Sequence, residues 1–590
     1  MSKFWKYFLA VVIGGLVSAF IITMGVFLLM GGIVAASGNS EVVVKNSSIL
    51  VMDLNSPIAE RADNDPFSNV IAEMMGQPKM VGLNKILASI KKAKEDDRIK
   101  GIYMESGLLT AGFATIDEIR NALLDFKKSG KFVYSFASIY TQKAYYLASA
   151  ADKVYLNPSG MLEFKGIASS HTFFKGALEK LGVEVQVFKY GQFKSAVEPF
   201  IQDKMSDANR LQTETYVGSI WNHTLKGISA SRGLGIDALN KIADDFAMLR
   251  DDDYLKNCGL IDGLVYKDEV LDMLKELAGT ATDKDLNAVT IGQYADAAVP
   301  NMKKNVAKDK IAIIYAEGEI TDGEEEGEGI VSGPLSRTIR KARRDESVKA
   351  IVLRVNSPGG SGLASEVIWR EMQLAKEAKP VVVSMGDVAA SGGYYISCAA
   401  DTIIAQPNTL TGSIGVFGMV PNTSGLMKKI GVTTDRVVTN KMSDLPSINR
   451  AFTEEEKALW QSYVNHFYEV FIGRCADGRK TTSELINEVG EGRVWSGENA
   501  IAINLVDKLG GIDDAIATAA RMANLENYRV VEMPEMVSPF ERMMKELSGG
   551  AIAKIERAML GEEYRVLKTI NTLKSGSPIQ ARMPYELSVY

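Results

Sequence analysis

A chain of 590 residues with 46% hydrophobic content exceeds what one core organises, since single cores rarely grow past roughly 250–300 residues, so two or more domains are expected. Its 67 basic and 73 acidic residues give a net charge of −6, and their even mixing leaves no basic stripe for a phosphate backbone; no nucleic-acid partner is expected. Cys258, Cys398 and Cys475, and His171, His223 and His466, show no CxxC, HExxH or related spacing, which leaves a disulfide framework, a metal site and any metal cofactor unsupported.

The first predicted element is the uncharged run from Phe8 to Ala36. As a helix it exceeds the ~30 Å hydrocarbon core of a bilayer, and it is longer than the apolar region of a cleaved signal peptide, although Ala35 and Ala36 leave a weak cleavage signal. Lys3 and Lys6 precede it and Glu41 is the first charge after it. The positive-inside rule then predicts a cytoplasmic tail at 1–7, a single transmembrane anchor in the lipid bilayer at 8–36, and the remaining chain on the outer side. Gly15 and Ala19 form a small-xxx-small pair of the kind that packs helices, a pattern common by chance.

Beyond the anchor the chain repeats itself. Tyr145-Tyr146 with Ala150-Ala151-Asp152 returns as Tyr394-Tyr395 with Ala399-Ala400-Asp401, an offset of 249 that also carries Gly166-Ile167 onto Gly415-Val416 and Leu181-Gly182-Val183 onto Ile430-Gly431-Val432. Asn222-His223 matches Asn465-His466, and Gly259-Leu260-Ile261-Asp262 matches Asn504-Leu505-Val506-Asp507, at slightly smaller offsets. Two duplicated domains are expected, at 46–275 and 308–525. Each alternates β-branched runs with helical patterns: 350–355 reads as a strand, 363–378 as a helix and 380–385 as a strand, which predicts an α/β fold with its sheet covered on both faces. The Glu- and Gly-rich stretch 322–329 between the copies reads as a solvated loop. At the end of the chain, 538–590 carries Met543, Met544 and Leu547 at helical spacing and reads as a packing or assembly segment.

Two glycine-rich turns in the second copy can carry chemistry. Asn356-Ser357-Pro358-Gly359-Gly360-Ser361-Gly362 lies between a predicted strand and helix, where N–H groups freed from any ladder would make an anion hole; a plain tight turn is the alternative. Ala389-Ala390-Ser391-Gly392-Gly393-Tyr394-Tyr395 would display an exposed Ser391 hydroxyl at the first turn of a helix, with the Gly392 N–H joining that of Gly360 around an oxyanion. A serine among small residues also fits close packing. The base is sought outside the histidines, because His223 and His466 share one place in the repeat and His171 has no acidic partner nearby. Lys194, in Gly191-Gln192-Phe193-Lys194-Ser195-Ala196-Val197-Glu198-Pro199-Phe200, has apolar neighbours that would desolvate the ammonium and lower its pKa, although a lone lysine also fits a surface position.

Ser357-Pro358-Gly359-Gly360, Ala390-Ser391-Gly392-Gly393-Tyr394-Tyr395, Thr411-Gly412-Ser413-Ile414-Gly415 and the stretch 190–200 together resemble the signal peptide peptidases of the SppA type, in their long tandem-domain form with an N-terminal anchor. The resemblance covers nearly the whole chain. It implies tandem ClpP/crotonase-like domains, a serine protease with Ser391 as nucleophile and Lys194 as general base, and Ser413 as the residue orienting the lysine; an ordinary turn serine is the alternative for Ser413. It also implies no cofactor, a ring-like homo-oligomer such as a tetramer, remnant signal peptides and unfolded apolar peptides as substrates, and a place on the periplasmic side of the plasma (inner) membrane. The repeat register puts Gln142 where the first copy would hold the serine and Ser443 where the second would hold the lysine, so neither copy is expected to act alone. A crotonase-type acyl-CoA enzyme and a non-catalytic membrane scaffold are the competing classes. The segment 81–97 is expected either to cover the site or to lie far from it.

Overall fold

The computed structural model describes residues 43–62, 80–250, 252–300, 306–536 and 580–583, with a few isolated positions among the first 25. The expected anchor at 8–36, apart from those isolated positions, and the helical pattern around Met543–Leu547 lie outside the described residues; among the described residues no helix is long and apolar enough to cross a membrane.

The repeat read from the sequence is a repeat of topology. In the first copy Ser48–Asp53, Ile99–Glu105, Phe132–Tyr140, Lys153–Leu162, Gly263–Leu264 and Ala288–Thr290 form a parallel sheet. In the second, Lys310–Glu317, Val348–Ser357, Val381–Ala390, Thr402–Ala405, Lys508–Leu509 and Arg529–Met533 do the same. Both sheets run fifth, fourth, third, second, first, sixth in chain order. The second adds Leu410–Gly412 beside Val381–Ala390, and Val494–Ser496 antiparallel to that.

Continuous apolar strands suit sheets buried on both faces, and period-2 alternation divides their side chains. Ile311 and Ile313 pack with Ala515 and Ala519 of the helix Ile512–Met522 on one face. Ala312 and Ile314 pack with Ile339, Ile368 and Met372 of the helices Ser332–Arg344 and Gly362–Ala378 on the other. The expected strand 350–355, helix 363–378 and strand 380–385 appear as Val348–Ser357, Gly362–Ala378 and Val381–Ala390. Smaller contacts repeat as well: the Tyr145 hydroxyl donates to Leu260 O at 2.8 Å and that of Tyr394 to Leu505 O at 2.9 Å, while Arg232 meets Asp262 as Arg479 meets Asp507. Residues 322–329 are exposed throughout. The segment Leu83–Glu95 is a helix buried in its own domain through Leu83, Ile86 and Ile90.

What positions the site is a third, smaller sheet built from both copies. Its order is Ile330–Val331, Ile320–Thr321, Gly359–Ser361, Gln580–Arg582, Phe417–Asn422 and Glu184–Lys189. The last two pair antiparallel, from Phe417 opposite Lys189 to Asn422 opposite Glu184. A strand of the first copy thereby runs along the second, delivering the residues that follow it to the second copy's glycine turns.

Candidate active site

Ser391 sits where the central strand Val381–Ala390 breaks into the short helix Gly392–Ser397. Its φ of 57° and ψ of −115° are uncommon for a residue with a Cβ, and such backbone is held only where the surroundings over-determine it. Here Ser391 N–H donates to Gly412 O and Tyr395 N–H to Ser391 O, both at 2.8 Å. Because Ala390 is in register with Gly412 on the neighbouring parallel strand, the next residues of both strands, Ser391 and Ser413, emerge side by side.

Lys194 reaches this point from the first copy. After the strand Glu184–Lys189, Tyr190 N–H donates to Val416 O at 3.2 Å and Phe193 N–H to Glu491 O at 3.1 Å, and the Tyr190 ring stacks on Tyr468 with centroids 4.0 Å apart. The backbone of Lys194 then passes against Gly492, where φ is +84° and an added Cβ would lie 2.6 Å from Lys194 N; only glycine permits that approach. Gln212 clamps both flanks, its Nε2 donating to Phe193 O at 3.1 Å and Ser195 Oγ at 2.9 Å while its Oε1 accepts from Val494 N–H at 3.1 Å.

Lys194 Nζ lies 2.9 Å from Ser391 Oγ, 3.1 Å from Ser413 Oγ and 3.2 Å from Ser413 O. All three residues are completely buried. Desolvation, with no carboxylate among the described residues close enough to oppose it, holds the Lys194 ammonium well below the ordinary lysine range. The two halves meet within one chain. Their repeat equivalents do other work: Gln142 Oε1 accepts from Lys165 N–H and Gly166 N–H, both at 2.9 Å, and Ser443 is exposed. Among the histidines, His223 lies 3.3 Å from Asp117 and His171 lies 3.1 Å from Ser169 Oγ.

Two expectations are corrected. The N–H groups of the glycine turn are not free of a ladder: Gly359–Ser361 is a strand, with Gly360 in register with Ile320 on one side and with Ala581 on the other. An added Cβ on Gly360 would meet Ile320 O at 2.0 Å, so close strand packing fixes glycine there. Nor is the Ser391 hydroxyl exposed: Lys194 Nζ lies 2.9 Å from it and Gly415 O 3.5 Å, while Gln580–Arg582 pairs with Gly359–Ser361 and, at Gln580, with Phe417. Gly392 remains adjacent, its α-carbon facing Ala581 O. Sequence reasoning missed Gln212, Gly492 and residues 580–583; the Gly-Glu-Gly at 490–492 was the one legible signal among them.

Comparison with known proteins gives a consistent set of relatives. Residues 125–281 and 373–526 match Peptidase family S49, and residues 305–411 match Clp protease. The chain is 37% identical over 510 residues to Protease 4 of Salmonella typhi, covering 84% of this chain and 80% of that protein. It is 32% identical over 545 residues to the chloroplastic serine protease SPPA of Arabidopsis thaliana, covering 92% and 78%. It is also 32% identical over 263 residues to a putative signal peptide peptidase SppA of Enterococcus faecium, covering 44% and 76%.

Proposed function

This chain belongs to peptidase family S49 and is a serine protease with two tandem S49 domains, and from that premise we propose that Ser391 is its nucleophile and Lys194 its general base. The observation that carries the reading is the 2.9 Å separation of Lys194 Nζ from Ser391 Oγ in a site without solvent exposure. Neutral Lys194 takes the Ser391 proton as Oγ attacks the peptide carbonyl, and the tetrahedral oxyanion is held by the N–H groups of Gly360 and Gly392. Lys194 then protonates the leaving amine, and water cleaves the acyl-enzyme. Ser413, accepting from Lys194 through both its hydroxyl and its carbonyl, aims the Nζ lone pair at Ser391 once the amine is neutral. No cofactor enters this scheme.

The substrates proposed are remnant signal peptides and other unfolded apolar peptides, at the periplasmic face of the plasma (inner) membrane, with the chain anchored through 8–36 and assembled as a homo-oligomer. Support comes from the uncharged run of the sequence and from the relative named as a putative signal peptide peptidase.

Hydrolysis of an unfolded apolar peptide tests the dyad. Ser391→Ala and Lys194→Ala, each folded by circular dichroism, should each lose ~10³-fold or more in kcat/KM, and the double variant little beyond either single one, because the two act as a unit. Retained activity in Lys194→Ala overturns the assignment of the base.

A further inference from the structure

The junction that builds the Ser391 site has a counterpart that a single chain leaves open. Inside the chain, Leu410 and Val494 of the second copy pack with Tyr216 and Ile220 of the first in one apolar cluster, with Val388 against it. The repeat gives these walls equivalents elsewhere. The paired residues Val388 and Leu410 correspond, at the offset of 249, to the paired residues Ile139 and Met161. The helices Asp207–Arg232 and Glu454–Arg479 have one length and one kind of N-cap, Ser206 and Thr453, which sets Leu459 at the place of Gln212 and Tyr463 at that of Tyr216. The N-caps Gly112 and Ser361 of the helices Phe113–Lys127 and Gly362–Ala378 set Leu363 at the place of the buried Ala114. Leu410 and Tyr216 are 6% and 2% exposed, whereas Ile139 and Met161 are 47% and 41% exposed, and Leu363, Leu459 and Tyr463 are 57%, 52% and 51% exposed. Apolar side chains kept at the positions of a buried junction, yet bare in the single chain, mark a contact made outside it. The two bare faces lie on opposite copies, so a second chain presents to one what the first chain presents on the other, head to tail. The backbone agrees: 433–438, the counterpart of Glu184–Lys189, forms no strand, and neither does 168–173, the counterpart of Phe417–Asn422.

We infer that each contact between chains holds a second peptide cleft, walled by Ile139 and Met161 of one chain and by Leu363, Leu459 and Tyr463 of the next, which binds an extended apolar segment without cutting it. The inference rests on the homo-oligomer and the Ser391–Lys194 readings given above. The cleft has the walls of the catalytic one but not its chemistry. Gln142 takes the place of Ser391, and its amide is held by backbone, accepting from Lys165 N–H and Gly166 N–H at 2.9 Å and donating to Gly166 O at 3.0 Å; Ser443 takes the place of Lys194. The ligand class follows from the walls. With 433–438 of the next chain on one edge of 168–173, the other edge is left to an extended main chain, and the apolar wall selects an apolar side chain on it. A substrate long enough to lie in both clefts is held at two points and gains affinity over one that fills the Ser391 cleft alone.

The test uses the full chain with Ser391→Ala, sedimented to establish its assembly, and an apolar peptide of about ten residues that carries a photoreactive benzophenone side chain. Cross-links should fall at two places, beside residue 391 and on fragments containing Ile139 or Met161. In the active chain, Met161→Trp fills the pocket of the second cleft and Ile139→Ser strips its wall. With each variant sedimenting as the wild type does, the KM for an unfolded peptide of about thirty residues, divided by that for one of about eight, should rise roughly fivefold, because only the longer peptide reaches both clefts. Cross-links confined to the catalytic cleft of an intact oligomer, or a KM ratio that neither variant moves, overturn the second cleft and leave the dyad standing. A wild-type chain that sediments as a monomer overturns the homo-oligomer reading and this inference with it. Hydrolysis that persists in Ser391→Ala overturns the dyad reading, and with it the distinction between a cleft that cuts and one that only holds.

Discussion

Lys194 is the residue whose ordinary chemistry is most altered. Its ammonium is buried among hydroxyls and a carbonyl, and burial alone depresses its pKa. Two consequences follow with defined signs. As a base it must be neutral, so kcat/KM should rise with pH through the depressed pKa and level off before the ordinary lysine value; a flat profile measured from about pH 6 to 10 would count against it. For stability, the unfolded chain holds the lysine proton up to the ordinary lysine pKa of 10.5 while the folded chain releases it earlier. Folding is therefore penalised as pH falls from that value toward the folded pKa, and the penalty is complete below it. Lys194→Met removes the charge and keeps the volume. Its melting temperature should exceed that of the wild type at neutral pH, with a difference that shrinks as the pH is raised toward 10.5, although activity is lost. Ser391 shows the same exchange of local comfort for placement in its backbone, which turns through φ 57° so that the hydroxyl points at the lysine.

At the scale of elements, the site is made where strands end. Ser391 and Ser413 leave adjacent parallel strands together, and Lys194 follows a strand held antiparallel to Phe417–Asn422. The equivalent stretch of the second copy, 433–438, forms no strand, so this delivery runs in one direction only. Gln212, on the long helix Asp207–Arg232, ties the lysine segment to Val494 of the second copy. Gln212→Leu keeps the bulk but orphans Phe193 O, Ser195 Oγ and Val494 N–H from this partner, at a cost of about 1–3 kcal/mol. Chemical denaturation should register that loss. Because the side chain touches Lys194 only through its flanks, kcat should fall about tenfold with KM little changed, and the acid limb of the pH profile should move as the lysine loosens.

The two copies are joined across the whole molecule by a buried ion cluster. Arg354, 1% exposed, donates Nε to Glu60 at 2.8 Å and reaches Glu118 at 2.6 Å, both carboxylates belonging to the first copy. It also donates to Ser384 Oγ at 2.8 Å. Removing the guanidinium would strand two buried carboxylates against each other, a change of about 3–5 kcal/mol. Arg354→Met should therefore lower the denaturant midpoint and reduce peptidase activity together, since Lys194 and Ser391 come from opposite sides of this junction; replacing Glu60 and Glu118 by Gln in the same variant should recover part of both. Thr115 and Asp387 join the copies a second time, the Thr115 N–H donating to Asp387 Oδ1 at 3.0 Å and the Thr115 hydroxyl to Asp387 Oδ2 at 2.7 Å.

The sequence by itself determined what is local or repeated. The α/β alternation, the doubling at an offset of 249, the place of Gly360 ahead of a helix and of Ser391 at a strand–helix junction, and the apolar company of Lys194 are all properties of short windows, because side-chain period and glycine content are set within a few residues. Only the tertiary structure decided what depends on contacts between distant segments. No spacing could announce that Gly492 clears a path for Lys194, that Gln212 clamps it, or that residues 580–583 complete a sheet more than two hundred positions away from Gly359. The exposed serine expected from its turn is buried for the same reason: segments distant in sequence close over it, with Lys194 and Gly415 at its hydroxyl, and a strand's own sequence specifies its faces far more strongly than its neighbours.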